Sequence, residues 1–497
     1  MNTDSLIVLN PDYNFKNDID RIVMYSKKKG IYNSSTEWIS YIHPFQAMLL
    51  NAFTTPKTLK EHITEISKHI HVPYQKLLDT ISPYINNAEP FHTLVGHDQT
   101  RFPKNVLITV NDINAEYHYG FTSNELHCEH INLTPDRMHR APNSFLFMLT
   151  NKCVTNCKYC YADKETKCDE LTTEEILSII KEAHDLKLSY IDIIGGELFC
   201  KKDWDIILKA LVDMDLTPTY ISTKVPITEQ IAERLYATGY NNVVQISLDS
   251  LNENCLKEII ECKEGYVQKT QKGISILEKY GFPIQIDTVL TKYNSDKKTL
   301  LNLYQYINEI KNLTLWEIRV PEMSIYRPES FTKIKADKKQ LSDVCNFVKK
   351  ELKSQANIKI VVSDSILYKT YRSDKACKPC FDGSVCSILK NHFFVLPDGK
   401  VSPCEQLYWQ PQFIIGDLKK QSLQEVWNSP KALALIRREH EAPKETSPCK
   451  HCKASDFCKE SHKKCYTRIL KAYGKENWDY PDPFCQYAPK FTNDFEY

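Results

Sequence analysis

The 497-residue chain has no surplus of charge of either sign: 64 Lys and Arg stand against 63 Asp and Glu, a formal net charge of +1. Nothing global therefore draws it to nucleic acid or to an anionic membrane, and electrostatic recognition has to be local. It also has no long apolar run, since no stretch approaches the ~18 consecutive apolar residues of a membrane-spanning helix. A secretory signal is missing as well, because the short apolar run in MNTDSLIVLNPDYNFKND is flanked by acidic residues. These absences predict a cytoplasmic protein with neither membrane nor nucleic acid as partner. In that compartment its 18 cysteines are expected as ligands or packing residues and not as disulfides. A chain this long exceeds one ordinary core, so two or three domains are expected.

The cysteines are unevenly spread. Cys128, Cys168, Cys200, Cys255, Cys262 and Cys345 are scattered singly and read as packing residues. Cys153, Cys157 and Cys160 crowd into LTNKCVTNCKYCYAD. Three thiolates at this spacing suit a four-iron four-sulfur cluster whose fourth iron is left open, able to chelate a small molecule and to pass single electrons. Zinc is the alternative, and it prefers four tetrahedral ligands in paired spacings.

Before residue 90, IVLN, RIVMYS and EWISYI read as strands, followed by helices at FQAMLLNAF, TLKEHITEISKHI and YQKLLDTISPYI. Thr58 with Glu61 forms a capping box. Three strands and three helices predict a winged-helix module over 1–90. Residues 91–141 read as a polar, aromatic connection with candidate hairpin strands at NVLITV and AEYHYGF. From 142 to 330, strand runs at FLFMLT, YIDIIGG, TPTYIS, NVVQISL, IQIDTVL and LWEIRV alternate with helical segments. The fold class is α/β, a partial (βα)6 barrel. A helix is expected after Leu171 from its Thr172 and Glu175 capping box, and residues 331–375 read as a helical linker.

Ligand sites of parallel βα sheets lie at the carboxyl ends of strands. The cysteine loop follows the first barrel strand, Gly195, Gly196 and Glu197 end the second, Ser222, Thr223 and Lys224 the third, and Ser247 to Ser250 the fourth. Asn294 and Arg319 close the fifth and sixth. Each polar residue taken singly has the alternative of capping the next helix.

The cysteine motif, with aromatic Tyr159 before its last cysteine, resembles that of radical S-adenosylmethionine enzymes. The resemblance implies that Cys153, Cys157 and Cys160 hold a cluster whose reduction cleaves S-adenosylmethionine to a 5′-deoxyadenosyl radical. Gly195, Gly196 and Glu197 match that family's amino-group-binding motif, although Leu198 stands where proline is usual. Ser222, Ser247, Asp249 and, less directly, Arg319 would contact the ribose and carboxylate. The N-terminal module resembles, by shape alone, the recognition domain of ribosomal-peptide tailoring enzymes. There a leader peptide adds a strand at a sheet edge, here Trp38 to His43, beside a helix, here Gln75 to Ile85. A DNA-binding winged helix is the alternative.

The C-terminal residues 376–497 carry Cys380, Cys386 and Cys404, then Cys449, Cys452, Cys458, Cys465 and Cys485, with PDGK as a hairpin turn before Cys404. This field resembles the SPASM extension. The resemblance implies one auxiliary four-iron four-sulfur cluster on Cys380, Cys386, Cys404 and Cys465, and another on Cys449, Cys452, Cys458 and Cys485. The gap from Cys458 to Cys465 exceeds the family's usual spacing, Cys377 competes with Cys380, and zinc at the Cys449 and Cys452 pair stays open.

Taken together the chain resembles a radical maturase carrying S-adenosylmethionine and three four-iron four-sulfur clusters. Such an enzyme crosslinks a precursor peptide, through a cysteine thioether or a carbon–carbon bond, and draws electrons from a flavodoxin or ferredoxin. Glu405 would take the proton lost on closure; a solvent-facing glutamate is the plain alternative. Formylglycine formation on a sulfatase and a metal-dependent DNA-binding regulator remain as other readings.

Overall fold

The computed structural model describes residues 2–26, 38–369, 386, 388–437, 443–454, 458 and 464–497. Cys377 and Cys380 lie outside the described residues. The chain forms two compact units, Met1–Ala141 and Pro142–Tyr497.

In the first unit, strands β1 (Leu6–Leu9), β2 (Tyr13–Asn17), β3 (Ile22–Ser26) and β4 (Ile39–Ile42) precede helix α1 (Pro44–Asn51). The short β5 (Lys57–Thr58), helices α2 (Leu59–Ile70) and α3 (Tyr74–Ile81), and strands β6 (Phe91–Val95), β7 (Asp98–Phe102) and β8 (Leu107–Val110) follow. The helices fall where their patterns place them. Thr58 caps α2 with Glu61 in a reciprocal box, and Leu59, Ile63 and Ile66 bury one face.

The strands differ from expectation. IVLN enters a sheet of order β5-β1-β8, and the antiparallel sheet of order β2-β3-β4 takes its third strand from YNFKN. That strand is buried nearly throughout, with Lys16 laid over the Tyr25 ring at 5.1 Å and Asn14 donating to the Tyr25 hydroxyl at 3.1 Å. A strand that buries asparagine and lysine shows no alternation to read. Because β8 pairs with β1, residues after 90 belong to this unit and its boundary falls at Ala141. AEYHYGF forms no strand; Phe121 instead packs on Phe15 at 4.8 Å.

In the second unit all six expected barrel strands are present: β9 (Ser144–Phe147), β10 (Tyr190–Ile193), β11 (Tyr220–Thr223), β12 (Val243–Ser247), β13 (Ile284–Val289) and β14 (Leu313–Arg319). Helices α4 (Thr173–Asp185), α5 (Trp204–Asp213), α6 (Glu229–Ala237), α7 (Glu253–Ile260), α8 (Tyr266–Lys279) and α9 (Lys297–Ile307) connect them. Thr172 and Glu175 cap α4 as the sequence requires. A further parallel strand, β15 (Lys359–Ser363), lies within the expected helical linker and extends the order β11-β12-β13-β14-β15. On the other side β16 (His392–Val395) pairs parallel with β9, and β17 (Lys400–Ser402) and β18 (Gly416–Asp417) complete the order β10-β9-β16-β17-β18. The turn between β16 and β17 is the expected PDGK hairpin, with Gly399 at φ +85°. Between β10 and β11 the two sheets meet without a ladder, bridged by Thr219 N–H donating to Asp192 Oδ1 at 2.8 Å.

The C-terminal region is tied to the barrel by one buried charge. Lys471, on the helix Tyr466–Tyr473, donates to Glu322 Oε2 at 2.7 Å beyond the end of β14. Burial opposes ionisation of Glu322, but Lys471 and Lys369 outweigh it and hold its carboxyl down at about 2. A depressed carboxyl gives stability that is full above its unfolded value and fades as pH falls toward the folded one. Glu322→Gln should therefore lower urea stability at pH 7 by about 1–2 kcal/mol, discounted because Glu322 is partly solvated. The gap from wild type should narrow as pH drops below about 4.5; a gap unchanged by pH would assign the loss to packing.

Candidate functional site

The cysteine loop leaves β9 and is pinned by its backbone. Asn156 N–H donates to Ile260 O at 3.0 Å and Lys158 N–H to Ile259 O at 2.9 Å, both at the end of α7. Cys157 is buried, Cys160 half-buried and Cys153 exposed. Thr155 Oγ1 stands 3.2 Å from Cys157 Sγ and 3.7 Å from Cys153 Sγ, so one hydroxyl serves two sulfurs. Burial pushes the Cys157 thiol up to about 11, with Lys224 opposing. Tyr159 and Cys160 pack with Cys157 against Leu256, Ile259 and Tyr266.

The end of β10 folds directly onto this loop. Gly195 takes φ +103°, and Gly196 N–H donates to Thr150 O at 3.2 Å. A Cβ on Gly196 would lie 2.3 Å from Thr150 O and 2.6 Å from Lys152 O. The close approach that this glycine permits is thus to the cysteine loop's own backbone. Glu197 is buried and accepts from Thr223 Oγ1 and from Lys224 N–H, each at 2.9 Å, while desolvation raises its carboxyl. It braces β10 against β11.

Asp249 occupies the centre. Its Oδ2 accepts from the Tyr159 hydroxyl at 2.6 Å and its Oδ1 from Val289 N–H at 2.8 Å, joining the cysteine motif to β13 from the end of β12. Asn294 is fully buried; it donates to Asp249 O and Val289 O and accepts from Thr291, a bracing arrangement. Ser247 accepts from Gln245 Nε2 at 3.1 Å, and Ser222 is exposed on β11. Arg319 pairs with Asp287 at 2.9 Å and Glu317 at 2.8 Å. Asp287 is raised to about 6 by desolvation against the pull of Arg319. Glu405 is half-buried, and burial raises its carboxyl while Arg319 and Lys471 oppose; it feels Tyr161 and Tyr408. Tyr266, which donates to Lys224 O at 2.8 Å, had no signal in the sequence, and nor did the two-sulfur role of Thr155.

The C-terminal thiols gather in two groups. Burial and, after it, Cys449, Cys458 and Cys452 raise the Cys485 thiol to about 11. Cys404, at about 12, feels Glu405 and Cys465, and Cys465 in turn feels Cys386. Among the described residues no three His, Cys, Asp or Glu side chains close on a single metal ion.

Gly196→Ala should drive the new methyl into the Thr150 and Lys152 carbonyls and displace the cysteine loop. Iron should fall by about four per chain, the content of one cube-type cluster. Colorimetric iron assay checks this, and full iron content would show that the loop accommodates the methyl.

Residues 147–304 match the Radical SAM superfamily and residues 386–453 the SPASM iron–sulfur cluster-binding domain. The AdoMet-dependent heme synthase of Methanosarcina barkeri is 24% identical over 71% of this chain and 98% of its own. The PqqA peptide cyclase of Granulibacter bethesdensis is 22% identical over 70% and 88%. The crystal structure of Streptococcus suis SuiB bound to precursor peptide SuiA shares the fold at a TM-score of 0.61 and 16% identity, covering 97% of this chain and 100% of that one. With three crowded thiols at the carboxyl end of the first barrel strand and two further thiol groups beyond the barrel, the chain is an enzyme of the radical SAM superfamily with a SPASM domain, built to hold S-adenosylmethionine and iron–sulfur clusters.

Proposed function

We propose that this enzyme crosslinks a ribosomally synthesised precursor peptide, forming a cysteine thioether in the first instance and a carbon–carbon bond otherwise. The observation that carries the reading is an N-terminal unit whose strand β4 is hydrogen-bonded on one side alone among the described residues, with β7 close by, joined in one chain to the radical barrel and its thiol groups. Among the described residues β4 pairs with β3 alone. Ser26 N–H donates to Trp38 O, so by alternation Ser40 and Ile42 face β3 while Ile39 and Tyr41 turn their amides away from it. An extended leader adding there gains main-chain hydrogen bonds, with side-chain pockets supplying selection. Helix α3 exposes Gln75, Lys76, Asp79 and Thr80, which is no basic stripe for DNA. The PqqA peptide cyclases and SuiB, related in sequence or fold, bear names that concern peptides.

In this reading Cys153, Cys157 and Cys160 hold the cluster at the barrel mouth. S-adenosylmethionine bound there supplies one-electron chemistry able to break an unactivated carbon–hydrogen bond. Glu197, fixed by Thr223, Gly195 and Gly196 at the β10 turn, Ser222 and Ser247 on β11 and β12, and Tyr159, held by Asp249, shape the pocket for the methionyl and ribose groups. Arg319 is paired with Asp287 and Glu317. Glu405, its carboxyl raised by burial, accepts the proton released on closure. Cys380, Cys386, Cys404 and Cys465 hold one auxiliary cluster, and Cys449, Cys452, Cys458 and Cys485 the other. A flavodoxin or ferredoxin delivers the electrons.

Replacing Cys153, Cys157 and Cys160 together by alanine should leave about eight irons per chain and abolish cleavage of S-adenosylmethionine to 5′-deoxyadenosine, read by chromatography. Retained cleavage would displace the assigned site. Ile39→Pro should remove an edge donor and weaken leader binding at least 10-fold by fluorescence anisotropy, whereas Ile39→Ala should change it little. Basal cleavage without peptide should be equal in both variants. Equal leader binding by both would move recognition away from this edge.

A further inference from the structure

Tyr408 sits in the turn between β17 and β18, where Leu407 N–H donates to Cys404 O at 3.1 Å and Gln410 N–H to Leu407 O at 3.0 Å. Its backbone takes φ +39°. That left-handed conformation suits glycine or asparagine, and a bulky aromatic residue adopts it only under strain. The side chain adds a second cost. Tyr408 is fully buried, and its hydroxyl has no hydrogen-bond partner among the described residues. A phenylalanine would fill the same space without an unpaired donor.

The surroundings say which acceptor is wanted. Tyr408 packs with Met148, Phe394 and Leu396 in one apolar group that also takes in Cys160 and Tyr161 of the cysteine loop. Tyr326 and Phe394 each meet its ring edge-on with centroids 5.5 Å away, so the ring is held in one orientation. Burial pushes the hydroxyl well above its ordinary pKa, and Tyr161, Cys160 and Glu405 add to that, so it stays a protonated donor. The thiol it feels is Cys160. Cys404, earlier in the same turn, has Thr467 Oγ1 at 3.6 Å and feels Cys465 instead. The donor thus belongs to the surroundings of the cysteine loop, although the C-terminal region supplies it. Cluster sulfurs accept hydrogen bonds, and these raise a cluster's potential because the reduced state carries the greater negative charge.

We infer that the Tyr408 hydroxyl donates a hydrogen bond to a sulfur of the cluster held by Cys153, Cys157 and Cys160, and so raises that cluster's reduction potential from the C-terminal region. The inference rests on the assignment of the cluster to those three cysteines and not on the peptide substrate.

The test is a redox titration of the reconstituted holoenzyme followed by electron paramagnetic resonance, with iron content measured alongside. The signal of this cluster is the one missing from the variant with Cys153, Cys157 and Cys160 all replaced by alanine. Tyr408→Phe should keep its iron and, at a fixed solution potential, lower the reduced-to-oxidised ratio of that signal about 10-fold, a midpoint more negative by about 59 mV for one electron. Signals of the auxiliary clusters should stay where they are. Fluorotyrosine in place of Tyr408 keeps the ring and makes the hydroxyl a stronger donor, so it should move the midpoint the opposite way. An unmoved midpoint in both proteins, or a shift confined to the auxiliary signals, would overturn the inference alone. Should Tyr408→Phe lose iron, the fluorotyrosine protein decides: a raised midpoint upholds the donor and an unmoved one overturns it. A triple alanine variant that keeps every signal would overturn the cluster assignment and the inference with it.

Discussion

The site depends on the carboxylate of Asp249. It takes the hydroxyl of Tyr159 and the amide of Val289, and its own main-chain carbonyl takes Asn294. The cysteine loop is an irregular segment that must hold three thiols in fixed relation, and loops have no ladder to do this. Asp249 gives the loop one rigid attachment to two strands of the barrel. Burying a carboxylate is costly unless its lone pairs are filled, and here each oxygen has a donor. Removing Asp249 would take the acceptor from the Tyr159 hydroxyl, and removing Tyr159 would take the hydrogen-bond donor from Asp249 Oδ2, so the two act as a unit.

Around this attachment the strand ends brace one another before they touch a ligand. Glu197 ties β10 to β11 where the two sheets have no hydrogen-bonded ladder, and Gly196 lets the β10 turn lie against the cysteine loop. Residues that sequence reasoning assigns to the cofactor are thereby also structural, and the two roles are compatible. A carboxylate oxygen has two lone pairs, so Glu197 keeps acceptor capacity after binding Thr223 and Lys224. Preorganisation of this kind is what a reactive site requires, because groups already locked by their neighbours lose little entropy when the ligand arrives.

Much of this was legible in the sequence, for identifiable reasons. All six barrel strands were readable because parallel strands buried on both faces form dense apolar runs bounded by turns, as in YIDIIGG and IQIDTVL. Helices α2 and α4 announced themselves through Thr58 with Glu61 and Thr172 with Glu175. YNFKN did not, since Lys16 and Asn14 are buried by contacts with Tyr25 that no local pattern encodes. KIVVS was hidden by the helical segments before it, and the pairing of β8 with β1 spans about a hundred residues. The cysteine spacing advertised its chemistry, whereas the contact of Tyr159 with Asp249 joins residues far apart in the chain that no local pattern links.

The C-terminal thiols carry the same logic further. Burial and then Cys452 and Cys458 raise the pKa values of Cys449 and Cys485, as burial, Glu405 and Cys465 raise that of Cys404, so a charged neighbour makes each of these thiols harder to ionise. A ligand thiol must shed its proton to bind iron, and proton loss in a crowded, buried field is favourable only when the metal charge arrives with it. Cluster assembly is thus coupled to the local fold, and binding energy spent on ionising thiols returns as rigidity. Lys471 fixes the helix following Cys465 to the barrel through Glu322 without iron. The protein therefore holds the frame of the auxiliary sites by an ion pair and leaves the thiol groups themselves to be completed by metal.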